Sequence, residues 1–109
     1  MGLDVDGGDN MKISNYIFEG PYDHKRGFTD VISAVYAIID SRINGNSLVD
    51  VGQTEDLNNR FPNHPRELSW NNVRIGTLSL WILRVQNERD RLAIESQIRT
   101  QYNPPCGER

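Results

Sequence analysis

With 109 residues, 37% of them hydrophobic and 25% charged, the chain has the size and composition of one globular domain, which excludes a disordered or membrane-embedded class. Its net charge of −3 is set by Asp4, Asp6 and Asp9: without these three the fifteen acids become twelve, equal to the twelve bases, so charge alone does not exclude a nucleic-acid partner. No run reaches the roughly 18 apolar residues of a bilayer span, no signal-peptide pattern opens the chain, and the single Cys106 cannot close an internal disulfide or build a cysteine-rich zinc site, so a cytoplasmic protein with no membrane and no disulfide-linked partner is expected.

Residues 1–10, MGLDVDGGDN, offer almost nothing to bury and are expected to be a disordered tail, leaving 11–109 as the single folded domain. Residues 12–19 alternate roughly between polar and apolar and predict an added edge strand, ended by Gly20 and Pro21. The following loop, PYDHKRGFTD, carries His24, Lys25 and Arg26, which read either as a solvated turn or as a phosphate-contacting loop. Residues 31–39 are β-branched and aromatic, as a well-buried strand requires, and Asn44, Gly45 and Asn46 favour a reversal into a second strand over 47–52.

Thr54 is a suitable N-cap for a helix with Glu55 and Asp56 in its first turn, closed by Pro62 and Pro65. Residues 67–74 are polar around Trp70 and read as a loop with room for one short helical turn. Residues 75–85, IGTLSLWILRV, predict a third strand, and Asn87 caps a helix running to about Tyr102, beyond which Pro104 and Pro105 forbid helix. The sum is an α/β (α+β) domain with a central three-stranded antiparallel sheet flanked by helices, a ββαβα core, and an N-terminal segment able to add a strand.

The last helix holds one carboxylate out of place. At about 100° per residue, Leu92, Ile98 and Tyr102 share a stripe and Glu95 falls within it. A glutamate on a core-facing stripe is costly unless paired, which leaves a structural salt bridge to an arginine or a metal ligand at the edge of a cleft.

Tyr36, Gly52, Arg60, His64, Glu95 and Asn103, in this order and spacing, resemble the GIY-YIG endonuclease family. AVY at residues 34–36 stands where the family has its first tripeptide and DVG at 50–52 where it has the second. The continuation GQTEDLNNRF resembles the family's glycine, polar pair and arginine-bearing helix, and IES and QYNPPC resemble its metal-binding glutamate helix and terminal asparagine segment. The likeness covers about residues 32–106.

The resemblance implies a metal-dependent endonuclease that hydrolyses phosphodiester bonds in DNA. Tyr36 would take the proton of the attacking water, Arg60 would supply positive charge or grip the phosphate, and His64 would assist the base or protonate the leaving group. Glu95 would hold one Mg²⁺ (or Mn²⁺), a hard ion content with a single carboxylate and several waters. Gly52, Gln53 and Asn103 would meet substrate, although an asparagine in the last position is also an ordinary helix cap. An Arg60–Glu95 salt bridge is the rival reading of that pair, and Trp70 and Trp81 read as core.

One position departs from the pattern. Asp50 stands where the second tripeptide begins with tyrosine, so Asp50 would either bind a water or the metal, act as the base itself, or mark a degenerate domain that serves as a nucleic-acid-binding or protein-interaction module. Ala34 in place of the first glycine is a milder change.

Overall fold

The computed structural model describes residues 3 and 9–107 and the backbone of residues 5 and 6. The chain forms an α+β domain, with strands β1 (Val5–Asp6), β2 (Asn10–Ile13), β3 (Tyr16–Tyr22), β4 (Ala34–Arg42) and β5 (Gly45–Thr54), helix α1 (Glu67–Val73), strand β6 (Thr77–Arg84) and helix α2 (Glu88–Tyr102). All strands join one antiparallel sheet in the order β1-β2-β3-β6-β4-β5. In place of the expected three-stranded sheet, the N-terminal strands β2 and β3 join β4, β5 and β6 to make five substantial strands, with β1 a two-residue addition at the rim.

β4 is the central strand because it can be buried on both sides. Seven consecutive residues, Ala34 to Asp40, are inaccessible, and the near-continuous apolar run is what a doubly covered strand requires. Alternate side chains feed two cores. Ala34, Tyr36 and Ile38 pack with Val49, Leu57, Phe61, Trp70, Leu80 and Ile82 on one face. Val35, Ala37 and Ile39 pack with Phe18, Val51, Trp81 and Ile98 on the other, which α2 covers. Both tryptophans are core, as expected, at 0% and 3% exposure. Each fully buried Leu, Ile or Phe contributes roughly 1.5–3 kcal/mol, so the two faces together supply the main stabilisation.

The hairpin between β4 and β5 is closed by Ile43 and Asn44, with Gly45 at φ 128 accepting a backbone conformation that other residues resist. A bulge follows: Ile38 pairs with Asp50 and Ile39 with Leu48, which leaves Val49 as the extra residue. In the register beyond it Gly52 stands opposite Tyr36.

Four local expectations give way. Residues 12–19 are not one strand but the end of β2, a reversal at Ser14 and Asn15, and β3, which runs past Gly20 and Pro21 to Tyr22 through a register shift. Part of the leader expected to be disordered is paired, residues 5 and 6 with 11 and 10, Leu3 bridges to Asn46, and Asp9 O accepts from Gly20 N–H; residues 1, 2, 4, 7 and 8 lie outside the described residues. The helix expected after Thr54 is only a 3-10 turn at Leu57–Asn59, because the Thr54 hydroxyl folds onto Asp56 while Asp56 itself caps the turn through Asn58 N–H. The stretch read as a loop with room for one short helical turn holds the seven-residue α1, whose one buried residue is Trp70.

α2 matches expectation more closely. The Asn87 side chain accepts from Asp90 N–H at 3.1 Å, and Asn103 ends the helix in the left-handed region at φ 48. Its buried stripe is rotated, however: Leu92 is 48% exposed while Arg91 is 3% exposed, its guanidinium donating to Gln53 Oε1 and to the carbonyls of Val85 and Gln86. Arg91, Glu95, Ile98 and Tyr102 thus form the inner face, and Glu95 remains on it.

Candidate active site

A cleft of about 250 Å³ opens where β4, β5, α2 and residues 60–66 meet, and its walls hold Tyr36, Gly52, Gln53, Arg60, His64, Arg66 and Glu95. The first two face each other across the antiparallel pair. A Cβ built on Gly52 would collide with Oη and Cζ of Tyr36, so the strand lacks a side chain here because the phenol occupies its space. That is the structural reason for the glycine in the second motif.

Tyr36 Oη lies 2.7 Å from His64 Nε2. The direction of this bond follows from the other ring nitrogen: Nδ1 accepts from the backbone N–H of Arg66 at 3.0 Å, so it carries no proton. The proton of the neutral imidazole therefore sits on Nε2 and is donated to the phenol oxygen. Burial, seconded by the Arg66 guanidinium, holds His64 down to about 4, so the ring is neutral at pH 7. Burial likewise pushes the Tyr36 hydroxyl up to about 12, with Arg66 and Arg60 pulling it down and Asp50 and Glu95 pushing it up. At rest Tyr36 is a neutral phenol that accepts from His64 and keeps its own O–H to donate.

His64 reaches this position without a helix to carry it. The chain leaves the 3-10 turn at Arg60, Phe61 is buried against the Tyr36 ring with centroids 5.2 Å apart, and residues 62–64 turn back over it. The imidazole then rests 4.6 Å from the Trp70 ring. Tyr36, Phe61, His64 and Trp70 form one aromatic cluster, worth about 0.5–1.5 kcal/mol per ring pair beyond burial.

Asp50 sits beneath the cleft and does not line it. It is fully buried, and its carboxylate is taken up: Oδ2 accepts from Arg66 Nε and Trp70 Nε1, both at 2.7 Å, while Oδ1 accepts from Arg99 Nη2 at 3.2 Å and Arg66 Nη2 at 3.4 Å. Arg99 also donates to the carbonyls of Val51 and Cys106. A carboxylate saturated by two guanidiniums and an indole is an anchor, with no free lone pair directed at a water in the cleft. What it anchors is Arg66, whose guanidinium is thereby held at the cleft wall. Sequence reasoning missed Arg66: it stands in NHPRE with no periodicity or motif to single it out, and only the buried acid sixteen positions earlier explains it.

Glu95 is 24% exposed at its side chain, with Oε2 3.7 Å from Arg99 Nη2. The Arg60–Glu95 salt bridge considered from sequence is thus replaced by an i,i+4 pair within α2, and among the described residues Arg60 has no carboxylate partner. Burial raises the Glu95 carboxyl above the usual range, against the pull of Arg99 and Arg66. Gln53 lines the cleft but spends its carbonyl oxygen on Arg91. Asn103 lies outside the cleft as the C-cap of α2, its N–H donating to Arg99 O at 2.9 Å.

Arg60 and Arg66 against Glu95 leave the cleft wall with a positive excess, which suits an anion. Among the described residues no group of three or more His, Cys, Asp or Glu side chains could cage a metal. The donor set fits a different kind of site: one carboxylate on an open cleft is what Mg²⁺ accepts when substrate oxygens and waters complete its shell. Among the described residues no helix is long and apolar enough to cross a membrane and no disulfide is formed, in a domain measuring 34 × 30 × 28 Å. Comparison of the chain with protein-family models, curated proteins and solved structures finds no match in any of the three.

Proposed function

We propose that the chain is a metal-dependent endonuclease of the GIY-YIG type that hydrolyses phosphodiester bonds in DNA. The observation that carries this reading is the convergence of Tyr36, His64, Arg60, Arg66 and Glu95 on one cleft, with the Tyr36 oxygen 2.7 Å from a histidine nitrogen that donates to it. An α+β domain with an antiparallel sheet and two helices is compatible with this reading.

The residues divide the work as follows. Arg60 and Arg66 bind the scissile phosphate, Arg66 offering a planar guanidinium already held by Asp50 and so losing little freedom on binding. The Tyr36 phenolate accepts a proton from the attacking water as its oxygen bonds to phosphorus and the bond to the leaving oxygen breaks; that oxygen then takes a proton from solvent. The Nε2–H of His64 stabilises the phenolate, the form that Tyr36 otherwise reaches only near pH 12. Glu95 would hold Mg²⁺ or Mn²⁺, whose chemistry is to neutralise charge developing on the phosphate.

The burial that raises Tyr36 favours one rival, a degenerate domain that binds nucleic acid or protein without cutting. Supercoiled and branched DNA incubated with the purified protein and Mg²⁺ or Mn²⁺ separates the two. The enzyme reading predicts metal-dependent cleavage lost in Glu95→Ala; salt-dependent DNA binding with equal background cleavage from both proteins would leave the binding module.

A further inference from the structure

A second cleft, of about 410 Å³, lies at the far end of α1, and His24, Lys25, Asn71 and Arg74 stand on its walls with Asp23. Its position relative to the first is fixed by Trp70, whose ring centroid is 5.8 Å from His24 and 4.6 Å from His64. The indole is the partition between the two. α1 spans the same interval: Arg66, its N-cap, lines the first cleft, and Arg74, its C-cap, lines the second. At 1.5 Å per residue the two arginines are about 12 Å apart along the helix, a separation that a few nucleotides of one strand can span.

The charge in the second cleft rests on two side chains. Burial pushes His24 below the usual histidine range, so that ring is neutral at pH 7. Asp23 is occupied by the loop itself, accepting from Lys25 N–H at 2.9 Å and lying 3.8 Å from Arg26 Nε. Arg74 is oriented by donating one nitrogen to Gly76 O at 2.8 Å and meets no carboxylate among the described residues, and the exposed Lys25 ammonium is likewise unopposed there. Asn71 uses only its amide nitrogen, on Glu67 O, which leaves it able to turn toward a bridging water.

We propose that Lys25 and Arg74 form a second phosphate site, which holds a backbone phosphate of the same DNA a few nucleotides from the one gripped by Arg60 and Arg66. The site rests on the endonuclease reading and adds to it how the substrate is aligned: two phosphate contacts bracketing α1 fix the strand's direction across the cleft, which one contact cannot do. It also selects between the two readings that sequence left open for the 24–26 cluster.

The test is a fluorescence-anisotropy titration of a labelled 20-base-pair duplex, without divalent metal, over a series of salt concentrations. Wild type is compared with Lys25→Ala/Arg74→Ala and with Arg89→Ala, a charge control on the exposed face of α2. The double variant should bind about tenfold more weakly at low salt, and its slope of log K against log salt should fall by about 0.9, one phosphate contact. Arg89→Ala should match wild type. Should the loss of the Arg74–Gly76 bond disturb folding, seen as a lowered Tm, Lys25→Glu alone gives the same readout from an exposed side chain. Unchanged affinity and slope in variants that fold, while wild type binds, would overturn the second site and leave the endonuclease reading standing. Absence of DNA binding by wild type at every salt would remove the endonuclease reading, and the second site with it.

Discussion

Tyr36 and Gly52 act as one unit across the β4–β5 pair, because the phenol fills the volume that a Cβ on residue 52 would need. Gly52→Ala must therefore displace the ring and with it the bond to His64. Overpacking of this kind costs about 1–3 kcal/mol, and misplacing a reacting group by about an ångström costs about 10²-fold in rate. A loss of cleavage far larger than the drop in Tm would identify the pair as positioning the base; a stability change with normal cleavage would not fit.

His64 makes a separate prediction about pH. Its folded value of about 4 is below the ordinary 6.5, so the unfolded chain binds the proton more readily. The stabilisation is complete above pH 6.5 and is lost as pH falls toward 4. Between pH 7.5 and 5 it amounts to about 2 kcal/mol, readable as a fall in the urea midpoint that His64→Gln diminishes. His24, shifted in the same direction by burial, contributes a remainder that persists in that variant.

At the scale of elements, α1 is held to the sheet by Trp70 and by the acid that Trp70 contacts. Asp50→Asn would leave the Arg66 guanidinium without its counter-ion and Arg99 with only Glu95. Removing one member of a buried ion pair costs about 3–5 kcal/mol, so a fall in stability of about that size is expected, together with weaker substrate binding as Arg66 loses its orientation. If Asp50 were instead the base, cleavage would vanish with the melting temperature nearly intact.

The same elements explain what the sequence disclosed. β4 was legible because its doubly buried run is almost wholly apolar from Ala34 to Ile39, and α2 because Asn87 caps it and prolines follow it. α1 was hidden: its apolar Leu68 and Val73 point to solvent and only Trp70 is buried, so no helical period exists to find. The helix expected after Thr54 shrank to a 3-10 turn because Thr54 and Asp56 satisfy each other locally, a competition that composition does not reveal. Asp50 looked like a lost tyrosine, since its partners Arg66, Trp70 and Arg99 are 16, 20 and 49 positions away. Glu95 was singled out by helical phase as well as by the resemblance, and it stays on the inner face after the stripe rotates because Arg91 rather than Leu92 turns inward.

On the scale of the whole molecule, the sheet separates two functions. The face with Val35, Ala37 and Ile39 is sealed by α2 and gives stability, while the face with Tyr36 carries the aromatic cluster and both clefts. β5 lies at the sheet edge, so the inner face of α2 can bring Glu95 around that edge to the side where Tyr36 is. The net charge of −3 of the whole chain conceals a local positive excess on this face, the pattern needed for a polyanion to be attracted to one side only.

The central claim is that this cleft cuts DNA with Tyr36 as the base, and cleavage of supercoiled DNA in Mg²⁺ as a function of pH tests it most directly. A phenolate that is scarce at neutral pH makes the logarithm of the single-turnover rate climb with a slope of about one per pH unit from 6.5 to 9. Tyr36→Phe and Glu95→Ala, both folded, should reduce cleavage to background across that range. Equal background from wild type and both variants, or a rate from wild type that Tyr36→Phe leaves unchanged, would contradict it.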